Sequence, residues 1–147
     1  MTSDAEGAGR PVVLDTNIVL DLLVFRDPST LALADALARG SLVWYATAAM
    51  REELQRVLTY PALQGWLRKP DADDATQVLA RFDQLSRVHV EVAGGVPRCR
   101  DPDDQKFIDL ALCLRALLLS KDQAVLRLRR ALADRSVTVD TVFRSAA

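Results

Sequence analysis

A chain of 147 residues that is half apolar, 27% charged and holds only six Gly and six Pro reads as one helix-rich globule, which excludes disordered and collagen-like classes. Its 19 basic and 20 acidic residues leave a formal charge of −1, so any nucleic-acid binding must be local and not the work of a global basic field. No apolar run approaches the roughly 18 residues of a membrane span, and the opening "MTSDAEGAGR" lacks the basic and apolar regions of a signal peptide, so a cytoplasmic protein without membrane attachment is expected.

Residues 1–10 read as a flexible tail and 11–147 as a single domain. "PVVLD" is the first strand candidate; it ends in Asp15 and precedes a helix starting near Ile18. "STLALADALARG" has helical period, opened by Ser29 or Thr30 and closed by Gly40. "SLVWYAT" reads as a second strand, and "AAMREELQRVLTYPALQGWL" as a long helix that Pro61 breaks. After the helix "DADDATQVLARFDQLS" comes "RVHVEV", a third long strand that would contain His89, and then the loop "GGVPR". "DPDDQKFIDLALCL" is the next helix, "ALLLS" the fourth strand, "DQAVLRLRRALAD" the last helix and "SVTVD" the fifth strand. Short β-rich runs alternating with helical segments are the signature of an α/β domain with a parallel sheet.

A single histidine leaves no material for a Ser-His-Asp triad or a histidine-rich zinc site, and His89 reads as structural. Cys99 and Cys113 are too far apart for a CxxC pair; Cys113 reads as core and Cys99 as a loop thiol. The sharpest basic cluster, Arg127, Arg129, Arg130 and Arg135, is expected on one helix as a solvated face.

The acids carry more information. Asp15 and Asp122 each end an apolar strand candidate, where open α/β sheets place their ligand crevice, although each could also cap the helix that follows. In "MREELQRVL" the residues Met50, Leu54, Val57 and Leu58 form an apolar stripe with Glu53 at its border, while Glu52 faces water in reach of Arg56. In "DPDDQKFIDLALCL" Asp101 suits an N-cap and Pro102 the first helical position, with Asp104 placed as in a capping box. Stepping back from Phe107 and Ile108 puts Asp104 on the inward face and points Asp109 to water. Carboxylates about 4 Å apart repel by several kcal/mol at an effective dielectric near 20, so a converging set needs a cation. Oxygen-only ligation favours Mg2+ or Mn2+ over zinc.

In order and spacing, "VLDTN", "EELQRVL", "DPDDQKFIDLAL" and "LLSKD" resemble the four motifs of the PIN domain, the metal-dependent nuclease fold found in many bacterial toxin components; the resemblance runs from about Val12 to Phe143. It implies a three-layer α/β fold with a central parallel five-stranded sheet between helices. It also implies a catalytic set of Asp15, Glu53, Asp104 and Asp122, with Asp15, Asp104 and Asp122 around Mg2+ or Mn2+ and Glu53 acting through water. Asn17 and Ser120 fall to polar support on the substrate side. Gln105 stands where a further Asp is common in the "DPDD" subgroup, which leaves Asp103 and Asp104 as alternatives for the third acid; the inward face favours Asp104.

The function so implied is metal-dependent endonucleolytic hydrolysis of single-stranded RNA by the toxin of a toxin–antitoxin pair, with Arg98, Arg100 and Arg127 at the rim of the cleft. A protein antitoxin is the implied partner, and a homodimer is compatible with the same reading. The alternatives are a PIN-like module that binds RNA or protein without catalysis, and cleavage of DNA. A haloacid-dehalogenase-type phosphatase would need a second acid where Asn17 stands.

Overall fold

The structure, a computed structural model, describes residues 9–145; of the tail expected over residues 1–10, residues 1–8 lie outside the described residues and Arg10 is instead the first residue of a strand. Five strands, β1 (Arg10–Leu14), β2 (Leu42–Ala46), β3 (Ser86–Val88), β4 (Leu117–Leu119) and β5 (Thr138–Asp140), form one sheet in the order β3-β2-β1-β4-β5. Every neighbouring pair is parallel. Val12, Val13 and Leu14 are consecutive and all buried, as are Leu117, Leu118 and Leu119, so the central strands are covered on both faces. Such strands need helices on each side, and uninterrupted apolar runs are how they read in sequence.

The helices are α1 (Thr16–Leu23), α2 (Leu31–Arg39), α3 (Ala48–Val57), α4 (Pro61–Leu67), α5 (Ala75–Leu85), α6 (Gln105–Leu114), α7 (Gln123–Leu126) and α8 (Arg129–Ala133). Helix α1 is buried at every position but Asn17, which makes it a core element. Gly40 ends α2 at φ 79°, a left-handed conformation that favours glycine. Pro61 is the first residue of α4, where its missing N–H costs nothing, so the long third helix is two helices. Helix α5 begins with a complete capping box between Asp74 and Gln77, and its Phe82 packs edge-on against Trp44 of β2 at 4.9 Å between centroids.

Several expectations are corrected. The third strand is three residues long; the His89 amide still donates to the Ala46 carbonyl, after which the chain leaves the sheet. The last helix is divided at Arg127 and Leu128, so the four arginines do not share one helix, and Arg129 turns back to the Val139 carbonyl and Asp140. Cys113 is exposed, and Cys99 is half-buried against the core. Among the described residues no helix is long and apolar enough to cross a membrane.

Candidate metal centre

The strand order reverses at β1: β2 and β3 extend to one side, β4 and β5 to the other. At such a switch point the chain leaves the carboxyl ends of adjacent strands in opposite directions, and a crevice opens between them. Asp15 follows β1, and Ser120 and Asp122 follow β4. The β1–β4 ladder is extended past the strands by the Asp15 amide on the Leu119 carbonyl, which fixes the two strand ends together.

Asp104 reaches the same place from the third motif. The turn Pro102–Asp104 is a 3-10 helix, and α6 proper begins at Gln105. Asp101 caps this turn, accepting from the Asp103 amide, with Pro102 just inside it, as the sequence implies. The capping-box reading of Asp104 does not hold, since its carboxylate makes no cap bond. Its Oδ2 is the one buried side-chain nitrogen or oxygen atom without a hydrogen-bond partner among the described residues. Asp103, one residue earlier, is exposed.

Asp15, Asp104 and Asp122 each offer a carboxylate oxygen within 4.8 Å of the others. At that separation and an effective dielectric near 20, each charged pair costs about 3 kcal/mol. Burial first, and then the repulsion of Asp15 and Asp122, push the Asp104 carboxyl from 3.8 up to about 8. Asp15 is also raised, first by burial, against the opposing effect of its hydrogen bond from Ser120.

The oxygens of the cluster are otherwise well anchored. The Ser120 hydroxyl donates to Asp15 Oδ2 at 2.6 Å and accepts from the Asp122 amide at 3.1 Å. Ser120 is fully buried, so its hydroxyl joins two of the acids and is out of reach of a substrate, contrary to the substrate-side role inferred from sequence. Asp122 Oδ1 accepts from the Ala124 amide and caps α7, so its capping and clustering roles coexist. Asp15 stands at the N-cap position of α1 but makes no side-chain cap bond there; the nearby Asn17 amide favours its ionised form, and the Asn17 side chain is exposed.

Glu53, on α3, lies outside the three-acid set. Both its oxygens are occupied: Oε2 accepts from the Thr16 hydroxyl at 2.5 Å, and Oε1 from Lys106 Nζ at 2.5 Å. Lys106 also donates to the Asp103 carbonyl. Sequence reasoning missed Thr16 and Lys106, although each stands within two residues of a cluster acid.

Asp109 was expected to face water and is buried instead. It accepts from the Gly95 amide at 3.2 Å and from Gln105 Nε2 at 2.8 Å, while Gln105 takes the Cys99 amide on Oε1 and donates to the Pro97 carbonyl. The loop after β3 therefore folds onto the outer face of α6. It comes close enough to the centre for Asp104 and Asp122 to add to the burial that raises the Cys99 thiol, and it carries the exposed Arg98 and Arg100.

The oxygen-only donor set and the unpartnered, buried Asp104 Oδ2 fit a hard divalent cation such as Mg2+ or Mn2+. Comparison with known proteins agrees with the geometry. The chain is similar to the uncharacterized protein MJ1680 of Methanocaldococcus jannaschii, with 25% identity over 118 residues that cover 80% of this chain and 74% of that protein. The fold resembles the crystal structure of VapBC2 from Rickettsia felis bound to a DNA fragment from their promoter, with a TM-score of 0.61 at 12% identity over 88% of this chain and 97% of that one. A family model described as the PIN domain matches residues 11–124, a span that takes in Asp15, Glu53, Asp104 and Asp122 alike. The converging acids thus have a family, and the chain belongs to it: this is a member of the PIN domain family.

Proposed function

We propose that the protein is a divalent-metal-dependent endoribonuclease acting on single-stranded RNA, and that it is the toxin of a toxin–antitoxin pair. The observation that carries this reading is Asp104, which has a buried, unpartnered Oδ2 and offers a carboxylate oxygen within 4.8 Å of those of Asp15 and Asp122. A buried carboxylate oxygen without a donor is costly, and one such oxygen beside two further acids, without a basic partner, is the arrangement a cation would stabilise.

Asp15, Asp104 and Asp122 would hold Mg2+ or Mn2+. A divalent ion held there supplies Lewis acidity, lowering the pKa of water and neutralising charge on a phosphodiester. Ser120 keeps Asp15 and Asp122 in register, so their ligand oxygens are preorganised beyond the ends of two adjacent strands. Glu53, fixed through Thr16 and Lys106, orients or deprotonates the attacking water. Arg98, Arg100 and Arg127 are exposed, and they offset the repulsion between a polyanionic strand and the acidic centre.

The likeness in fold to VapBC2 supports a protein antitoxin as the partner of this chain. A cytoplasmic location and a homodimer belong to the same proposal. The test is cleavage of a single-stranded RNA by purified protein with Mg2+ or Mn2+, repeated with chelator and with Asp15→Asn. Cleavage is expected only with the ion and only with Asp15 present, the variant staying folded. Activity that survives chelation rejects the metal reading, and cleavage of DNA but not RNA rejects the substrate.

A further inference from the structure

Glu53 is an acid of the family pattern, yet it does not join the other three, and the structure supplies a physical cause. Its carboxylate is tied at both ends. Thr16, which holds Oε2, is the residue after Asp15; Lys106, which holds Oε1, is two residues beyond Asp104 and is itself steadied by the Asp103 carbonyl. Each clamp is thus covalently close to a different cluster acid, and Glu53 is spanned between them. The contact is sheltered, with the Lys106 side chain 23% and that of Glu53 16% exposed. Charge-assisted bonds in such surroundings are stronger and more directional than on an open surface.

We infer that Lys106 is a positioning residue that holds Glu53 off the divalent ion and keeps its carboxylate for the attacking water. This rests on the metal-dependent reading above and deepens it. A fourth carboxylate free to rotate would be drawn to a cation beside Asp15, because opposite charges at short range outweigh the rotamer cost of reaching it. Lys106 offers Glu53 a competing positive charge at 2.5 Å. Thr16 occupies the second oxygen and fixes the plane of the carboxylate, which a lysine alone, with its rotating ammonium group, does not do.

The experiment is calorimetric titration of Mn2+ into four full-length proteins: wild type, Glu53→Gln, Lys106→Met and the double variant, with kcat and KM measured on the same preparations. Glu53→Gln is expected to leave Mn2+ affinity within about twofold of wild type while lowering kcat, as for a group beyond the ligand set. Lys106→Met is expected to bind Mn2+ more tightly with a reduced kcat and little change in KM. In that background Glu53→Gln should weaken binding by about tenfold, because the released carboxylate has become a ligand. Lys106→Arg should restore much of kcat.

Wild-type protein that binds no Mn2+ sinks the metal reading as a whole. Wild-type protein that binds Mn2+ but loses about tenfold in affinity with Glu53→Gln alone sinks only this inference, since Glu53 would then already be a ligand. Equal affinities for Lys106→Met and the double variant sink it too, by showing that the released Glu53 does not move. Thr16→Val, which frees the other oxygen without changing charge, is the second route if Lys106→Met does not fold; unchanged kcat and Mn2+ affinity in Thr16→Val would overturn the clamp.

Discussion

Asp104→Asn offers the sharpest measurement on the centre, because it needs no substrate. With no divalent ion present, the folded protein holds a proton on Asp104 up to about pH 8, whereas the unfolded chain releases it near 3.8. Below about pH 4 both states keep the proton and the group contributes nothing. As pH rises from there the folded state binds more protons than the unfolded one, so stability falls, by up to about 1.4 kcal/mol per pH unit, until the folded carboxyl itself ionises. The cluster geometry leads to a similar scale, since two charged neighbours within 4.8 Å cost about 3 kcal/mol each at a dielectric near 20. An amide of the same shape carries no charge and cannot ionise. At pH 7 in chelator, Asp104→Asn should therefore be more stable than wild type by about 2–4 kcal/mol, roughly 5–15 °C in melting temperature for a chain of this size. The assay is a series of thermal melts between pH 5 and 9 in chelator, repeated with Mn2+. The gap between variant and wild type should widen with pH in chelator, and Mn2+ should raise the wild-type melting temperature far more than that of the variant. A variant less stable than wild type at pH 8, or a gap independent of pH, would refute the reasoning from crowded carboxylates.

Ser120→Ala removes a buried hydroxyl that serves both Asp15 Oδ2 and the Asp122 amide, and should cost about 1–3 kcal/mol in denaturant unfolding together with weaker Mn2+ binding. Asp109→Ala, at a position that sequence alone points to water, should destabilise by about 2 kcal/mol and speed hydrogen exchange at the Gly95 amide, because Gly95 and Gln105 lose their acceptor. Unchanged exchange there would mean the loop is held by other contacts. Asp101→Ala should lower stability by about 1 kcal/mol through the lost cap, with Mn2+ affinity retained; a large loss of affinity would place Asp101 in the centre and not at its edge.

Much of this arrangement is legible in the chain because it is local. Apolar runs such as "VVL" and "ALLLS" announce doubly covered parallel strands, and an acid that closes such a run is carried to the sheet's carboxyl edge by the strand itself. Helical phase was enough to turn Asp104 inward and leave Asp103 outside, and Asp101 with Pro102 declares its own cap. Periodicity fails where a second segment covers the face in question. Asp109 is on the outer side of α6 by phase, and only the return of the loop after β3 makes that side an interior. The same limit hid Lys106 and Thr16, whose roles arise from Glu53, 53 and 37 residues away in sequence. The sequence by itself determined which residues could bear charge and which strand ends would carry them. Tertiary structure alone decided which of those charges meet, because the partners are chosen by packing between segments that no local pattern records.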